Sequence, residues 1–171
     1  MEPTLPVRRW RAADRPSLVH HANDREVWRW LRDSFPHPYT DVDATAWLEF
    51  ATHQSPAVNF AIEVDGEAVG GIGLVVGNDI SRLSAEVGYW LGRDHWGQGL
   101  ATKALRAITS YAFEALAVER VFATPFEGNE ASFRVLEKAG FSLEGVHRRA
   151  AIKDGRILDL RCYSLIRPSA S

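Results

Sequence analysis

Gly97 and Gly99 constrain this chain more than any other residues. They separate a strand-like run, Ser84 to Leu91, from a segment, Leu100 to Leu116, in which Ala101, Leu105, Ile108, Ala112 and Leu116 form one apolar helical stripe. A helix opening directly from a glycine loop offers unpaired backbone N–H groups and the positive end of its dipole, an arrangement that attracts phosphate. With no Cβ at positions 97 and 99, the backbone can come close to such an anion. Turn geometry alone is the plainer use of the same two glycines. Two familiar phosphate motifs do not fit. A P-loop needs Gly-Lys-Ser/Thr, whereas Gly99 is followed by Leu100. A dinucleotide fingerprint needs a small third residue where Thr102 stands, and an acidic residue ending the next strand, where Thr124 and Pro125 stand.

Around this segment the hydrophobic period changes along the chain. Pro6 to Trp10 is a short extended lead, and Asp14 with Pro16 starts a helix. Arg25 to Leu31 is a second helical piece. Pro36 and Pro38 forbid a regular element in the aromatic loop from Ser34 to Thr40. Thr40 or Asp41 caps a helix carrying Ala44, Trp47, Leu48 and Ala51. Asn59–Val64 and Ala68–Val76 are strands joined through Asp65-Gly66, and Ser84–Leu91 is a third. After the long helix come a strand from Arg120 to Thr124 and a helix from Asn129 to Ala139, stopped by Gly140. A final hairpin, Phe141–Ile152 and Arg156–Ile166, turns at Asp154-Gly155. The pattern predicts an α+β domain with a mixed, mostly antiparallel sheet of about seven strands and about four helices.

The 171 residues fit one domain, 1–171, large enough to bury about 70% of the unfolded surface. A net charge of −2 argues against a nucleic-acid surface, which needs a basic excess, so phosphate has to be held locally. Cys162 has no second cysteine to pair with, and no apolar run approaches a membrane span or follows a charged leader. These features predict a cytoplasmic protein without membrane association. His20 and His21 are adjacent and diverge on a helix, a poor metal pair, so no metal is expected. Of six tryptophans, four lie in the first half: Trp10, Trp28, Trp30 and Trp47.

Three stretches taken together carry a family resemblance: Gly88-Tyr-Trp-Leu91, Trp96-Gly-Gln-Gly-Leu-Ala-Thr102, and Asn129-Glu-Ala-Ser132 through Gly140-Phe141. The chain resembles the GNAT N-acetyltransferases, and is most similar to the RimJ/RimL-like branch that acetylates ribosomal-protein N-termini. Asn23-Asp24, Glu26-Val27 and Pro38-Tyr39-Thr40 extend the likeness over nearly the whole chain. One position departs: Asp94 stands where the superfamily's acetyl-CoA motif begins with Gln or Arg. The resemblance implies a GNAT fold with splayed strands and acetyl-CoA as cosubstrate. Its diphosphate would lie on the backbone amides from His95 to Thr102, that is His95, Trp96, Gly97, Gln98, Gly99, Leu100, Ala101 and Thr102. Its pantetheine arm would pair with Tyr89, Trp90 and Leu91 like an added strand, with Asn129 as a hydrogen-bonding partner. A plain helix N-cap is the other role for Asn129.

Acetyl transfer needs a neutral amine, a donor for the oxyanion and a proton for the departing thiolate. Glu86, a carboxylate beside an otherwise apolar run, is the candidate base; an ion pair with Arg82 or Arg120 is its structural alternative. Many relatives place a tyrosine acid where this chain has Leu136, so Ser132 is the substitute. The acceptor would meet Trp28, Phe35, His37 and Tyr39, with Trp30 packed in the core. His147, Arg148, Arg149 and Lys153 read as a solvated face of the last hairpin. Many relatives pair as homodimers. The competing function is a catalytically silent acyl-CoA-binding module on the same fold; the amine acceptor itself is not legible.

Overall fold

The computed structural model describes residues 3–169. A seven-stranded sheet runs in the order β1-β2-β3-β4-β5-β7-β6, with β1 Val7–Arg9, β2 Asn59–Val64, β3 Glu67–Val76, β4 Ser84–Leu91, β5 Arg120–Ala123, β6 Ser142–Lys153 and β7 Arg156–Ile166. Five helices flank it: α1 Arg15–Ala22, the single turn α2 Arg25–Trp28, α3 Asp41–Thr52, α4 Leu100–Ala115 and α5 Glu130–Lys138. Every strand pair is antiparallel except β4–β5. The period changes in the sequence thus map onto the α+β layers.

The sheet separates two apolar layers. On one side α4 and α5 lay Leu105, Ile108, Ala112, Phe133 and Leu136 against Phe60, Ile62, Val87 and Val121. On the other, α1 and α3 pack Leu18, Ala22, Ala44 and Leu48 against Trp10, Tyr39 and Ala61. Burying one leucine such as Leu105 contributes about 2 kcal/mol. Leu136 is fully enclosed in the first layer, so the position that relatives fill with tyrosine is core here.

Three local expectations change. Asp14 starts α1, but its carboxylate does not cap that helix; it is buried, accepts from the Arg11 backbone N–H at 2.8 Å, and takes two hydrogen bonds from the Arg8 guanidinium, at 2.8 and 2.9 Å. Trp30 is half-buried beneath the Arg29 guanidinium, whereas Trp10 is the tryptophan enclosed in the core. Lys153 is not on a solvated face: it is 4% exposed, because the β6–β7 tip folds it against Asp33 and Trp28.

Burial of the Arg8–Asp14 pair makes its loss costly, since one charge would remain inside without its partner. Asp14→Ala should lower unfolding free energy by about 3 kcal/mol, read from urea denaturation midpoints. A change under about 0.5 kcal/mol would show that Glu63, which also bonds Arg8, suffices alone.

Candidate active site

The site begins where two strands part. β4 and β5 pair only at Ser84–Arg120, Ala85–Val121 and Glu86–Phe122, although β4 continues beside β3 to Leu91. Gly77 donates to the Ser84 carbonyl and Gly92 to that of Val69, so even-numbered residues of β4 bond to β3. The Val87 carbonyl and the backbone groups of Tyr89 and Leu91 therefore face the gap, while the parallel pair Glu86–Phe122 engages the Val87 N–H. At its far end the Trp96 indole Nε1 donates to the Leu91 carbonyl at 2.7 Å. The open edge is thus concentrated at Val87 and Tyr89. Trp90 bonds its backbone to β3, and its side chain emerges on the opposite face of the sheet.

Beyond β4, a tight turn at Arg93–His95 leads into the glycine loop. Gly97 and Gly99 have φ of 74° and 76°, a left-handed conformation that disfavours side chains, and nothing lies within 4 Å of where their Cβ atoms would stand. Gly99 is the N-cap of α4 and supplies no side-chain cap. Lys103 makes the first intrahelical bond, to the Gly99 carbonyl at 3.1 Å, leaving the Leu100, Ala101 and Thr102 amides without intrahelical partners. This open, uncapped helix end fits a phosphate group, held by backbone and dipole without a local basic excess. Gln98 donates to the Asp94 carbonyl, and the His95 ring lies 5.2 Å from that of His21, so these two side chains brace the turn.

Across the gap, α5 starts at Asn129, whose side chain caps it by accepting from the Ser132 amide at 3.2 Å. The Ser132 hydroxyl then meets the Tyr89 hydroxyl at 2.7 Å. Burial pushes the Tyr89 pKa up to about 12, partly offset by the bond to Ser132. Its hydroxyl therefore keeps its proton throughout the neutral range. Sequence reading placed only the Tyr89 backbone at the site. Its odd parity on β4, opposite to Glu86, was the available signal for the side chain.

The other face carries the carboxylate. Glu86 Oε1 accepts from Thr124 Oγ1 at 2.7 Å and from Arg32 Nη2 at 2.5 Å. The ion-pair partner is thus Arg32, from the loop after α2, and not Arg82 or Arg120; Arg120 instead pairs with Glu144. Along β4, Gly88 is exposed, with nothing within 4 Å of where its Cβ would stand, and keeps a clear floor between Glu86 and Trp90. The Phe35 ring borders that floor, 5.5 Å from Trp90 and 5.1 Å from Tyr39. Tyr39 itself is buried, so it backs Phe35 and does not line the open surface. The Trp28 ring, at the end of α2, lies tilted 5.6 Å from the ring of the exposed His37 on that loop. Among the described residues, no group of three or more His, Cys, Asp or Glu is arranged to hold a metal.

A strand edge open to an extended ligand, an uncapped helix end, a hydroxyl pair on one face and a carboxylate on the other now stand together. Residues 4–142 match the acetyltransferase (GNAT) domain family. The chain is 30% identical over 169 residues to the uncharacterized N-acetyltransferase p20 of Bacillus licheniformis, covering 95% of this chain and 93% of that protein. It is 39% identical over 103 residues to YdaF of Bacillus subtilis, named a putative ribosomal N-acetyltransferase, but that match spans only 60% of this chain and 56% of YdaF. The solved structure of Mycobacterium smegmatis RimJ in complex with CoA-disulfide superposes with a TM-score of 0.81 at 25% identity, over 97% of this chain and 90% of that one. The chain belongs to the GNAT family, the acetyl-CoA-dependent N-acetyltransferases.

Proposed function

We propose that acetyl-CoA lies along the Val87–Tyr89 edge and that a primary amine reaches it from the Glu86 face, with the α-amine of a polypeptide as the favoured acceptor. The carrying observation is the open β4 edge running into an uncapped α4, with proton-handling groups on both faces of the same strand. The name of YdaF, a putative ribosomal N-acetyltransferase, supports a protein N-terminus; a small-molecule amine is the other member of the class.

The cosubstrate supplies an acetyl group activated as a thioester. The chain's residues manage charge and protons. At pH 7 about a tenth of α-amines but under a thousandth of lysine amines are neutral, so an α-amine needs less help. Glu86 accepts the proton that the attacking amine releases, directly or through water. The Tyr89 backbone N–H, directed into the gap, donates to the carbonyl oxygen as negative charge develops there. The Ser132–Tyr89 hydroxyl pair returns a proton to the departing sulfur. Leu100, Ala101, Thr102 and the two glycines hold phosphate, while Trp28, Phe35 and His37 border the acceptor. Asn129 positions Ser132 by capping α5. The same reading places the protein in the cytoplasm, where acetyl-CoA is made and used, and admits a homodimer.

Coenzyme A release, followed by mass spectrometry, should rise when acetyl-CoA is mixed with peptides bearing free N-terminal Ser or Ala, and less with lysine-like amines, polyamines or aminoglycosides. Binding of acetyl-CoA without turnover of any amine would instead mark a silent acyl-CoA-binding module. Gly99→Val should weaken acetyl-CoA binding at least about tenfold by calorimetry, because a side chain there is strained and meets the anion. Unchanged affinity would remove the loop from the cosubstrate site. Glu86→Gln should cost roughly a hundredfold in kcat while leaving acetyl-CoA affinity intact, and the loss should be larger for amines of higher pKa. Equal loss for all amines would take the base role from Glu86. Tyr89→Phe should remove one tyrosine whose burial shifts its titration upward, read by absorbance, and should slow turnover about tenfold or more. A turnover rate unchanged in Tyr89→Phe would leave the proton to Ser132 alone.

A further inference from the structure

Lys153 is a buried ammonium that the chemistry above does not use. It sits at the β6–β7 tip, yet its Nζ donates to Asp33 Oδ1 at 2.8 Å and stands 3.7 Å from the Trp28 ring centroid. Next to it, Asp154 pairs with Arg25 at 3.0 Å. These contacts join positions about 120 residues apart in the chain, 153 to 33 and 154 to 25. The segment they seize is the same one that touches β4: Arg32 bonds Glu86, and Phe35 packs on Trp90. One loop therefore spans from the carboxylate on β4 to the tip of the last hairpin. Both ends of that loop are tied, and Trp28 lies between the tie at Lys153 and the His37 ring.

A purely structural tie does not call for an ammonium at this point. Burying a charge is unfavourable unless it is paired and hydrogen-bonded, and an apolar side chain would fill the volume more cheaply. An ammonium does what an apolar chain cannot: it fixes one face of an indole through the ring quadrupole while its N–H groups orient a carboxylate. The Asp33 side chain is 72% exposed and directly follows Arg32, which bonds Glu86, so it ties Lys153 to the solvent-facing loop and not to the core.

We propose that Lys153 is a positioning residue for the acceptor: its ammonium locks the face of Trp28 and, with Asp33, holds the loop that borders the Glu86 cleft. This rests on the acceptor reading above. Lys153 contacts the wall of the cleft and neither the cosubstrate edge nor the proton-handling groups. Its loss is felt in acceptor binding and hardly in acetyl-CoA binding or the chemical step.

The test is steady-state kinetics on the full chain with whichever amine the panel identifies, together with calorimetry for acetyl-CoA. Lys153→Met should raise the acceptor KM about tenfold, the scale of a desolvated cation–ring contact, with kcat and acetyl-CoA affinity within about twofold. Lys153→Arg, which keeps the cation over the ring, should restore KM to within about threefold of the parent. Asp33→Asn, at an exposed carboxylate, should raise the acceptor KM about two- to fivefold without unfolding the protein, and decides the matter if Lys153→Met fails to fold. An unchanged acceptor KM in the folded variants, or an equal loss of acetyl-CoA affinity, overturns the proposal while leaving the acceptor reading standing. Absence of turnover by the parent protein with every amine overturns the acceptor reading itself, and this inference with it.

Discussion

The hydrogen-bond ladder between β4 and β5 stops after three residue pairs, and the rest of the site depends on where it stops. Had pairing continued, the Val87 carbonyl and the backbone of Tyr89 would be consumed inside the sheet. Instead β3 supports β4 from one side to its end, and α4 and α5 cover the apolar layer beneath. The strand stays rigid while one edge stays unpaired. That combination places an open hydrogen-bonding edge inside a packed domain, where open edges are usually covered or avoided.

A strand's two-residue period then distributes the chemistry. Glu86 and Trp90 emerge on the face of α1 and α3, and Tyr89 emerges on the face of α5. In the proposed mechanism, a proton leaving an amine and a proton reaching a sulfur would be handled on opposite sides of one β-strand. Neither group has to serve both tasks. The uncapped start of α4 continues the same line, so under the proposed binding mode the anionic end of an extended ligand would meet backbone amides directly after the strand edge ends.

Much of this was legible where the determinants are local. Asn59–Val64, Ser84–Leu91 and Arg156–Ile166 follow from β-branched and aromatic runs bounded by turn residues, and the structure has the same limits. The turn geometry read at Gly97 and Gly99 takes the form of a positive φ that no other residue type tolerates as well. Contacts between distant segments were not legible. For Glu86 the sequence suggests Arg82 or Arg120, and only the path of the loop after α2 brings Arg32 to it. Lys153 looks like one more cation on a strand face until the hairpin tip folds over Trp28. Asp14 carries a helix-cap signal, but the approach of β1 redirects its carboxylate to Arg8. In each case a side chain had a satisfactory local role, and a partner brought close by the topology won.

The indole of Trp96, bonded to the Leu91 carbonyl, gives the open edge a fixed terminus. Only the Val87–Tyr89 step remains for backbone pairing, a length of about 7 Å in an extended strand. The edge therefore works as a short ruler closed at one end. A ligand that pairs with it is placed along the strand by its amide spacing, and its reactive end is set in height by counting from that stop.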